Sequence, residues 1–307
     1  MSDLVQIEGQ VTEHAGEERR VARRLPEWLT VRLPKRQPIA EVESLMRSER
    51  LHTVCEEARC PNLWECWTKK SATFMIMGDT CTRSCRFCAV KTGRGLPLDP
   101  DEPRRVAEAA KALGLRHTVV TSVNRDELRD GVASHFAQTI RSLRELLPGS
   151  IVEVLTPDFL GRTDAIDIVV EARPDVFNHN VETVPRLYRQ VRPQAKYPRS
   201  LDVLEYVKGK DPSIYTKSGF MVGLGETRDE VTALLRDLRD RKVDAITIGQ
   251  YLRPGKGYLE VAEYIHPDVF AEYKAIGLDM GFVFVASGPF VRSSHNAIEL
   301  SEAVGLL

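Results

Sequence analysis

The chain has 307 residues, with 43 lysines and arginines against 44 aspartates and glutamates, so its formal net charge is -1 at pH 7. The length is ample for a sizeable hydrophobic core, and the balanced charge excludes a global electrostatic field that would draw the protein to nucleic acid or to a membrane. No apolar stretch approaches the ~18–20 residues that span a bilayer, and the N-terminus lacks the apolar core of a signal peptide. We therefore expect neither a nucleic-acid nor a membrane partner.

The first part of the chain shows little regular patterning. Residues 1 to about 24 are polar and charged without clear periodicity, so we expect them to be flexible or loosely attached. The apolar residues Val42, Leu45 and Met46 then share one side of a helix predicted over 39–50.

From residue 71 onward, segments typical of strands and helices alternate. Strands are predicted over 73–77, 118–121, 151–155, 176–177, 215–222 and 245–248, with a last short strand over 282–286. Helices are predicted over 103–113, 132–147, 162–172, 184–190, 199–208, 228–241 and 267–276. The alternation predicts a parallel sheet with helices outside it, either as an open doubly wound sheet or as a barrel. No G-x-G-x-x-G follows the first strand, which weakens a dinucleotide-binding interpretation.

All six cysteines lie in one short span and form two triplets. The first triplet is Cys55, Cys60 and Cys66, and the second is Cys81, Cys85 and Cys88. Such crowding in a long chain does not suggest disulfides, and structural zinc sites usually show paired C-x2-C arms that neither triplet has. Two groups of three thiolates instead suit two [4Fe–4S] clusters, each with one iron that lacks a cysteine, with zinc or plain packing as the alternatives.

The second triplet carries an aromatic residue, Phe87, directly before its last cysteine. The pattern C-x3-C-x-aromatic-C resembles the signature of the radical S-adenosylmethionine superfamily. The resemblance implies that the open iron is chelated by the amino and carboxylate groups of S-adenosylmethionine. It also implies that an electron from the cluster cleaves this cofactor to methionine and a 5′-deoxyadenosyl radical, which abstracts hydrogen from the substrate.

The first triplet, C-x4-C-x5-C in LHTVCEEARCPNLWECW, narrows the resemblance to the lipoyl synthase family. The same family is indicated by TSVNRDEL at 121–128, VFNHNVETVPRLY at 176–188, KSGFMVGLGET at 217–227, TIGQYLRPG at 247–255 and GPFVRSS at 288–294. The resemblance implies insertion of two sulfur atoms, at C6 and C8, into an octanoyl chain held on a lysine of a carrier protein, with the auxiliary cluster at the first triplet as the sulfur donor. The implied partners are octanoylated lipoyl domains or the glycine cleavage H protein, and a ferredoxin- or flavodoxin-type reductant.

The resemblance also favours one fold, an α/β partial (β/α)6 barrel of the radical S-adenosylmethionine type with N- and C-terminal extensions. We expect residues 1–70 to form an N-terminal extension that carries the auxiliary cluster motif. The partial barrel should cover residues 71–286, and residues 287–307 should form a C-terminal segment with the R-S-S motif.

Polar residues concentrate after the predicted strands, where the active sites of such barrels lie. S-adenosylmethionine needs acceptors for its ammonium and ribose hydroxyls, a donor for its carboxylate and an apolar face for its adenine. The candidate contacts are Phe87, Thr121, Ser122, Asn124, Asn178, Asn180, Glu182 and Arg199. Lys217 is another candidate donor, although an outward-facing position suits it equally. Taken singly, each polar residue has an ordinary interpretation as a turn former or helix cap.

The C-terminal R-S-S motif offers the ligand that the first triplet lacks. The family resemblance points to its second serine, Ser294, with Ser293 as a close rival. Arg292 lies beside these serines in the sequence, and we expect it to stabilise the anionic ligand or cluster by a charge-assisted hydrogen bond. Without the resemblance, the two serines would be interpreted as the N-cap of a helix over 297–303. The chain has His295 where the family usually has tyrosine.

Two other functions are compatible with two clusters. A methylthiotransferase would be expected to carry an additional RNA-binding or substrate domain. A non-catalytic iron–sulfur electron carrier would need neither polar residues at six strand ends nor an open iron on both clusters. Cluster thiols must remain reduced, so we expect a cytoplasmic location.

Overall fold

The computed structural model describes residues 4–5, 25–32 and 37–307. The flexibility expected for residues 1 to about 24 lies outside these residues, apart from Leu4–Val5, which pairs antiparallel with Val31–Arg32. A 3-10 helix at Glu27–Leu29 and a helix at Gln37–Ser48 follow, the second of them close to its predicted range.

The centre of the fold is a sheet of seven parallel strands. They are β1 (Thr73–Ile76), β2 (His117–Ser122), β3 (Ile151–Leu155), β4 (Val176–Asn178), β5 (Tyr215–Val222), β6 (Ala245–Gln250) and β7 (Phe284–Gly288). Each strand pairs with the next in chain order, and His52–Thr53 adds an antiparallel edge strand beside β1. Within the described residues β1 and β7 are not hydrogen-bonded to each other. The sheet therefore stays open at one side, and the predicted partial barrel is confirmed with β7 beside the six expected strands.

Six helices connect the parallel strands. They are α1 (Glu102–Leu113), α2 (Ala133–Leu146), α3 (Thr163–Glu171), α4 (Tyr197–Lys210), α5 (Arg228–Asp240) and α6 (Pro267–Asp279). The shorter elements are helices at Val54–Glu57, Leu63–Thr68, Tyr188–Val191 and Ile298–Ala303, 3-10 helices at Phe159–Gly161 and Pro185–Leu187, and paired strands at Thr80–Cys81 and Lys91–Thr92. None of the helices in the described ranges is long and apolar enough to cross a membrane.

Local sequence explains where several of these helices begin and end. Helix α1 stops at Gly114, whose φ of +68° is in the left-handed region that glycine adopts without a steric cost. Helix α5 starts with a capping box, in which the Thr227 hydroxyl accepts from the Glu230 main chain and the Glu230 carboxylate accepts from the Thr227 main chain. Strands β1 and β6 are buried along their whole length, as parallel strands covered by helices are.

The C-terminal segment runs past the inner side of the sheet. Two glycines give it room, because a Cβ on Gly249 would collide with the Val291 carbonyl oxygen and one on Gly219 would lie 2.8 Å from the Ser293 hydroxyl oxygen. Beyond it, the helix at Ile298–Ala303 reaches the N-terminal ends of the strands, where the Ser301 hydroxyl lies 2.8 Å from Nδ1 of His117 at the start of β2. The N-cap of this helix is Ala297, so the interpretation of the two serines of the R-S-S motif as its cap is wrong.

Candidate functional site

A cavity of about 1480 Å³ opens at the C-terminal ends of the strands. It exceeds the roughly 300–1,000 Å³ typical of a site for one small ligand. All six cysteines line its wall, together with strand-end residues and the R-S-S motif. The cavity is therefore large enough for several groups at once.

The second cysteine triplet is held by main-chain donors. The sulfur of Cys81 accepts from the N–H groups of Arg83, at 3.4 Å, and Asn124, at 3.3 Å. The Thr82 N–H also donates to the Asn124 carbonyl at 3.0 Å, which ties the cysteine loop to the end of β2. Burial raises the pKa of the Cys85 thiol, and that of the Cys88 thiol to about 12, so these two thiols must lose protons when iron binds.

Arg83 is a buried anchor of this loop that the sequence analysis did not single out. Its guanidinium is 2% exposed and donates to Asp126 at 2.7 and 2.8 Å and to Asp158 at 2.6 Å. Burial would raise the pKa of the Asp158 carboxyl, but the hydrogen bond and charge of Arg83 hold that pKa well below its usual range. The pair of aspartates therefore fixes the cysteine loop against the ends of β2 and β3.

The first triplet is built on two short helices. Cys55 lies in Val54–Glu57 and Cys66 in Leu63–Thr68, while the Cys60 N–H donates to the Cys55 carbonyl at 3.0 Å. Burial raises the pKa of the Cys55 thiol to about 11 and of the Cys66 thiol to about 12. These thiols must therefore lose protons when a metal binds. Nearby, Trp67 is 2% exposed and can exclude water from this triplet.

The arrangement of thiols bears on the kind of metal group that they suit. All six cysteines are free, so no disulfide occupies them. Among the described residues no three histidine, cysteine, aspartate or glutamate side chains are grouped so that they could hold a single metal ion. Three free thiols in each triplet suit a [4Fe–4S] cluster that leaves one iron for another ligand.

Most of the predicted cofactor contacts line the cavity. These are Phe87, Thr121, Ser122, Asn124, Asn180 and Glu182. The buried oxygens Oγ of Ser122 and Oδ1 of Asn124 and Asn180 have no hydrogen-bond partner in the described part of the chain. Because buried polar atoms are nearly always paired in folded proteins, these oxygens suit a ligand rich in donors, such as an ammonium or ribose hydroxyls.

A donor missing from the sequence prediction also lies on this wall. Arg192 is 9% exposed, and its Nη1 donates to the Asn180 carbonyl at 2.8 Å and to the Tyr188 hydroxyl at 3.0 Å. Its Nε is buried without a partner among the described residues, and is thus free for a carboxylate. No sequence signal separates Arg192 from the other arginines after strand four, such as Arg186, Arg189 and Arg199.

Two predicted contacts lie away from the cavity. Asn178 is fully buried two residues before Asn180, about 6.6 Å deeper along the strand, and donates to Glu153 at 2.9 Å. Arg199 donates to Asp158 at 3.2 Å. Lys217 also lies away from the cavity. It does not face outward, because it is 1% exposed and paired with Glu153 inside the barrel.

The R-S-S motif places its two serines against different neighbours. The Ser293 hydroxyl accepts from Asn180 Nδ2 at 2.6 Å, whereas the Ser294 hydroxyl accepts from Thr73 Oγ1 at 2.7 Å. Arg292 is close enough to Cys60 and Glu182 to interact electrostatically with both. Ser294 therefore reaches the start of β1, which pairs with the strand directly before the helix of Cys55, and Ser293 faces the polar strand-end residues.

Two family models and several relatives match this chain. Residues 75–238 match the model of the radical SAM superfamily, and residues 2–60 match that of the N-terminal domain of lipoyl synthase of the Radical_SAM family. The lipoyl synthase of Rubrobacter xylanophilus is 61% identical over 277 residues, which cover 90% of this chain and 86% of that relative. The chain belongs to the lipoyl synthase family. The lipoyl synthase of Caldanaerobacter subterraneus is 59% identical over 92% of this chain and 99% of that relative.

Solved structures support the fold alone. Methylornithine synthase (PylB) superposes with a TM-score of 0.52 at 13% identity, over 87% of this chain and 85% of that one. HydG, a maturase of the [FeFe]-hydrogenase, superposes with a TM-score of 0.54 at 14% identity, over 81% of this chain and 62% of that one. The barrel is therefore shared with these enzymes at low sequence identity, while the family assignment rests on the close relatives.

Proposed function

We propose that the protein is a sulfurtransferase that inserts two sulfur atoms, at C6 and C8, into an octanoyl group carried on a lysine, which gives the lipoyl group. The observation that carries the proposal is that two separate cysteine triplets face one cavity in a chain of the lipoyl synthase family. One triplet suits cleavage of S-adenosylmethionine, and the other suits storage of the sulfur that is transferred. A simple electron carrier needs no such shared cavity.

The second triplet is proposed to hold the [4Fe–4S] cluster that works with S-adenosylmethionine, and the first triplet to hold the auxiliary [4Fe–4S] cluster. When bound, these groups supply a hydrogen-abstracting radical and the sulfur atoms. The chain's own part is to bind and orient. Ser122, Asn124 and Asn180 offer buried acceptors to the ammonium and ribose of the cofactor. Arg192, in place of Arg199, offers a buried donor to its carboxylate, and Phe87 offers an apolar face to its adenine.

Ser294 is proposed as the fourth protein ligand of the auxiliary cluster. Thr73 connects it to the first triplet, whereas Ser293 is engaged by Asn180, and this supports Ser294 over its neighbour. A hydroxyl oxygen is a poorer match than a thiolate for cluster iron, so it can leave when the cluster gives up sulfur. Arg292, near Cys60, can stabilise the anionic ligand or cluster.

The substrate is an octanoylated carrier protein. Lipoyl domains and the glycine cleavage H protein are the proposed carriers, a ferredoxin- or flavodoxin-type protein is the proposed reductant, and the free thiols suit a reducing cytoplasm. A chain of net charge -1 offers no long-range steering, so the carrier must be recognised by local contacts.

The test is a turnover assay with anaerobically reconstituted protein, which should hold about eight iron and eight sulfide per chain if both clusters form. An octanoyl-lysine peptide, S-adenosylmethionine and dithionite are added, and products are identified by mass. We expect two added sulfur atoms on the peptide together with 5′-deoxyadenosine, and no product from free octanoate. A methylthio product, equal turnover of free octanoate, or the absence of 5′-deoxyadenosine would each contradict the proposal.

A further inference from the structure

Thr73, the first residue of β1, joins a proposed ligand of the auxiliary cluster to the first cysteine triplet. Its hydroxyl donates to the Ser294 hydroxyl oxygen at 2.7 Å, and β1 pairs with His52–Thr53, the strand directly before the helix that carries Cys55. The side chain is well covered, with the residue 6% exposed, so water does not compete strongly for this hydrogen bond. One residue thus connects the N-terminal triplet to a serine 221 positions later in the chain.

The C-terminal segment does not depend on this hydrogen bond for its place. The Asn62 amide donates to the Phe290 carbonyl at 2.6 Å, on one side of the R-S-S motif. The Asn180 amide holds Ser293 at 2.6 Å, and His117 meets Ser301 at 2.8 Å on the other side. Removal of the Thr73 hydroxyl should therefore change the surroundings of the Ser294 oxygen without displacing the C-terminal segment.

We propose that Thr73 is a positioning residue of the auxiliary cluster, and that its hydroxyl both aims the Ser294 oxygen and weakens its bond to iron. This inference rests on the proposed function, in which Ser294 is a ligand. A hydrogen bond donated to an anionic ligand draws electron density away from the metal. Such hydrogen bonds raise the reduction potential of a cluster, as they do at cluster sulfurs. They also make the oxygen easier to displace, which a cluster that surrenders its sulfur requires.

The chain offers a matched set of variants. Thr73→Val removes the hydroxyl and keeps the branched shape, whereas Thr73→Ser keeps the hydroxyl and removes only a methyl group. Thr118→Val is the control, because Thr118 on the neighbouring strand β2 is fully buried and its hydroxyl has no partner among the described residues.

The first measurement is the reduction potential of the auxiliary cluster alone, in the full chain with Cys81, Cys85 and Cys88 replaced by alanine. We expect Thr73→Val to shift the potential to a more negative value, and Thr73→Ser and Thr118→Val to leave it unchanged. The second measurement uses the otherwise unaltered enzyme. Lipoyl product per 5′-deoxyadenosine should fall about tenfold in Thr73→Val, the size of one hydrogen bond to a charged group.

The inference is overturned if all three variants have the reduction potential and the product ratio of the wild type. It is also overturned if Thr73→Val and Thr73→Ser shift the reduction potential by the same amount. Loss of the cluster in Thr73→Val alone would support it, and loss in both Thr73 variants would overturn it. Ser294→Ala separates the two proposals. If it leaves the auxiliary cluster spectrum unchanged, the ligand assignment of the proposed function fails. If it changes the spectrum while Thr73→Val changes nothing, only the role of Thr73 fails.

Discussion

Removal of the buried lysine in the barrel interior should destabilise the fold more than any surface change. Lys217 Nζ lies 2.9 and 3.2 Å from the two carboxylate oxygens of Glu153, and both side chains are at most 1% exposed. Asn178 and His117 also contact this carboxylate, at 2.9 and 3.2 Å. In Lys217→Met the length of the side chain is kept, but the buried carboxylate loses its ion-pair partner. Breaking a buried pair in this way typically costs about 3–5 kcal/mol.

The cost can be converted to a melting temperature. A chain of 307 residues has an unfolding entropy of about 0.6 kcal/mol per kelvin near its midpoint, so about 3–5 kcal/mol corresponds to a drop of about 5–8 °C. The double variant Glu153→Gln with Lys217→Met removes both charges and should recover most of this loss, because no uncompensated charge remains buried.

The loss should also depend on pH. Burial would raise the pKa of the Glu153 carboxyl, but the charge of Lys217 holds it at about 2, below the ordinary 4.5. The carboxylate therefore contributes stability that is present above pH 4.5 and is lost as the pH falls through about 2. Without Lys217 the folded-state pKa rises and the buried carboxyl takes up a proton more readily. The difference in melting temperature between the wild type and Lys217→Met should therefore become smaller as the pH is lowered from 7 to 4.5.

Thermal unfolding of the cluster-free chain, followed by circular dichroism at both pH values, measures these quantities without interference from cluster loss. A melting temperature of Lys217→Met within about 2 °C of the wild type at pH 7 would contradict a stabilising role of the ion pair, and so would a double variant no more stable than Lys217→Met.

Three further predictions concern the site and the scaffold. Replacement of Cys81, Cys85 and Cys88 by alanine should abolish 5′-deoxyadenosine formation while the auxiliary cluster remains detectable in the absorption spectrum, and continued cleavage in that variant would refute the assignment. Ser294→Cys should keep the auxiliary cluster but slow its breakdown, and Ser294→Ala should largely spare cofactor cleavage while lowering lipoyl product per 5′-deoxyadenosine; an unchanged ratio in both would contradict the ligand role. Thr227→Ala should remove the capping box of α5, costing about 1 kcal/mol or about 1.5 °C, with turnover unchanged, and an unaltered midpoint would show that the cap does not stabilise the fold.

Short-range patterns determined the secondary structure and the nature of the metal groups. Strand β3 follows from its own apolar run, β3 and β5 have their predicted bounds, and the end of α1 follows from a single glycine. The spacing of the six cysteines indicated iron–sulfur clusters, and the resemblance of the second triplet to a known family signature implied S-adenosylmethionine. These properties are local in the chain, because periodicity, turn chemistry and ligand spacing depend on residues a few positions apart.

Only the tertiary structure decided which of several equivalent residues faces the cavity. Asn178 and Asn180 share one side of β4 and its extension, yet strand rise sets one in the barrel interior and the other on the cavity wall. Arg192 and Arg199 look alike in the sequence, but only Arg192 lines the cavity. The choice between Ser293 and Ser294 depends on packing between segments 113 and 221 residues apart, through Asn180 and Thr73 respectively. Distance along the chain hides such contacts from sequence patterns, because side-chain packing and strand register in the folded barrel fix them.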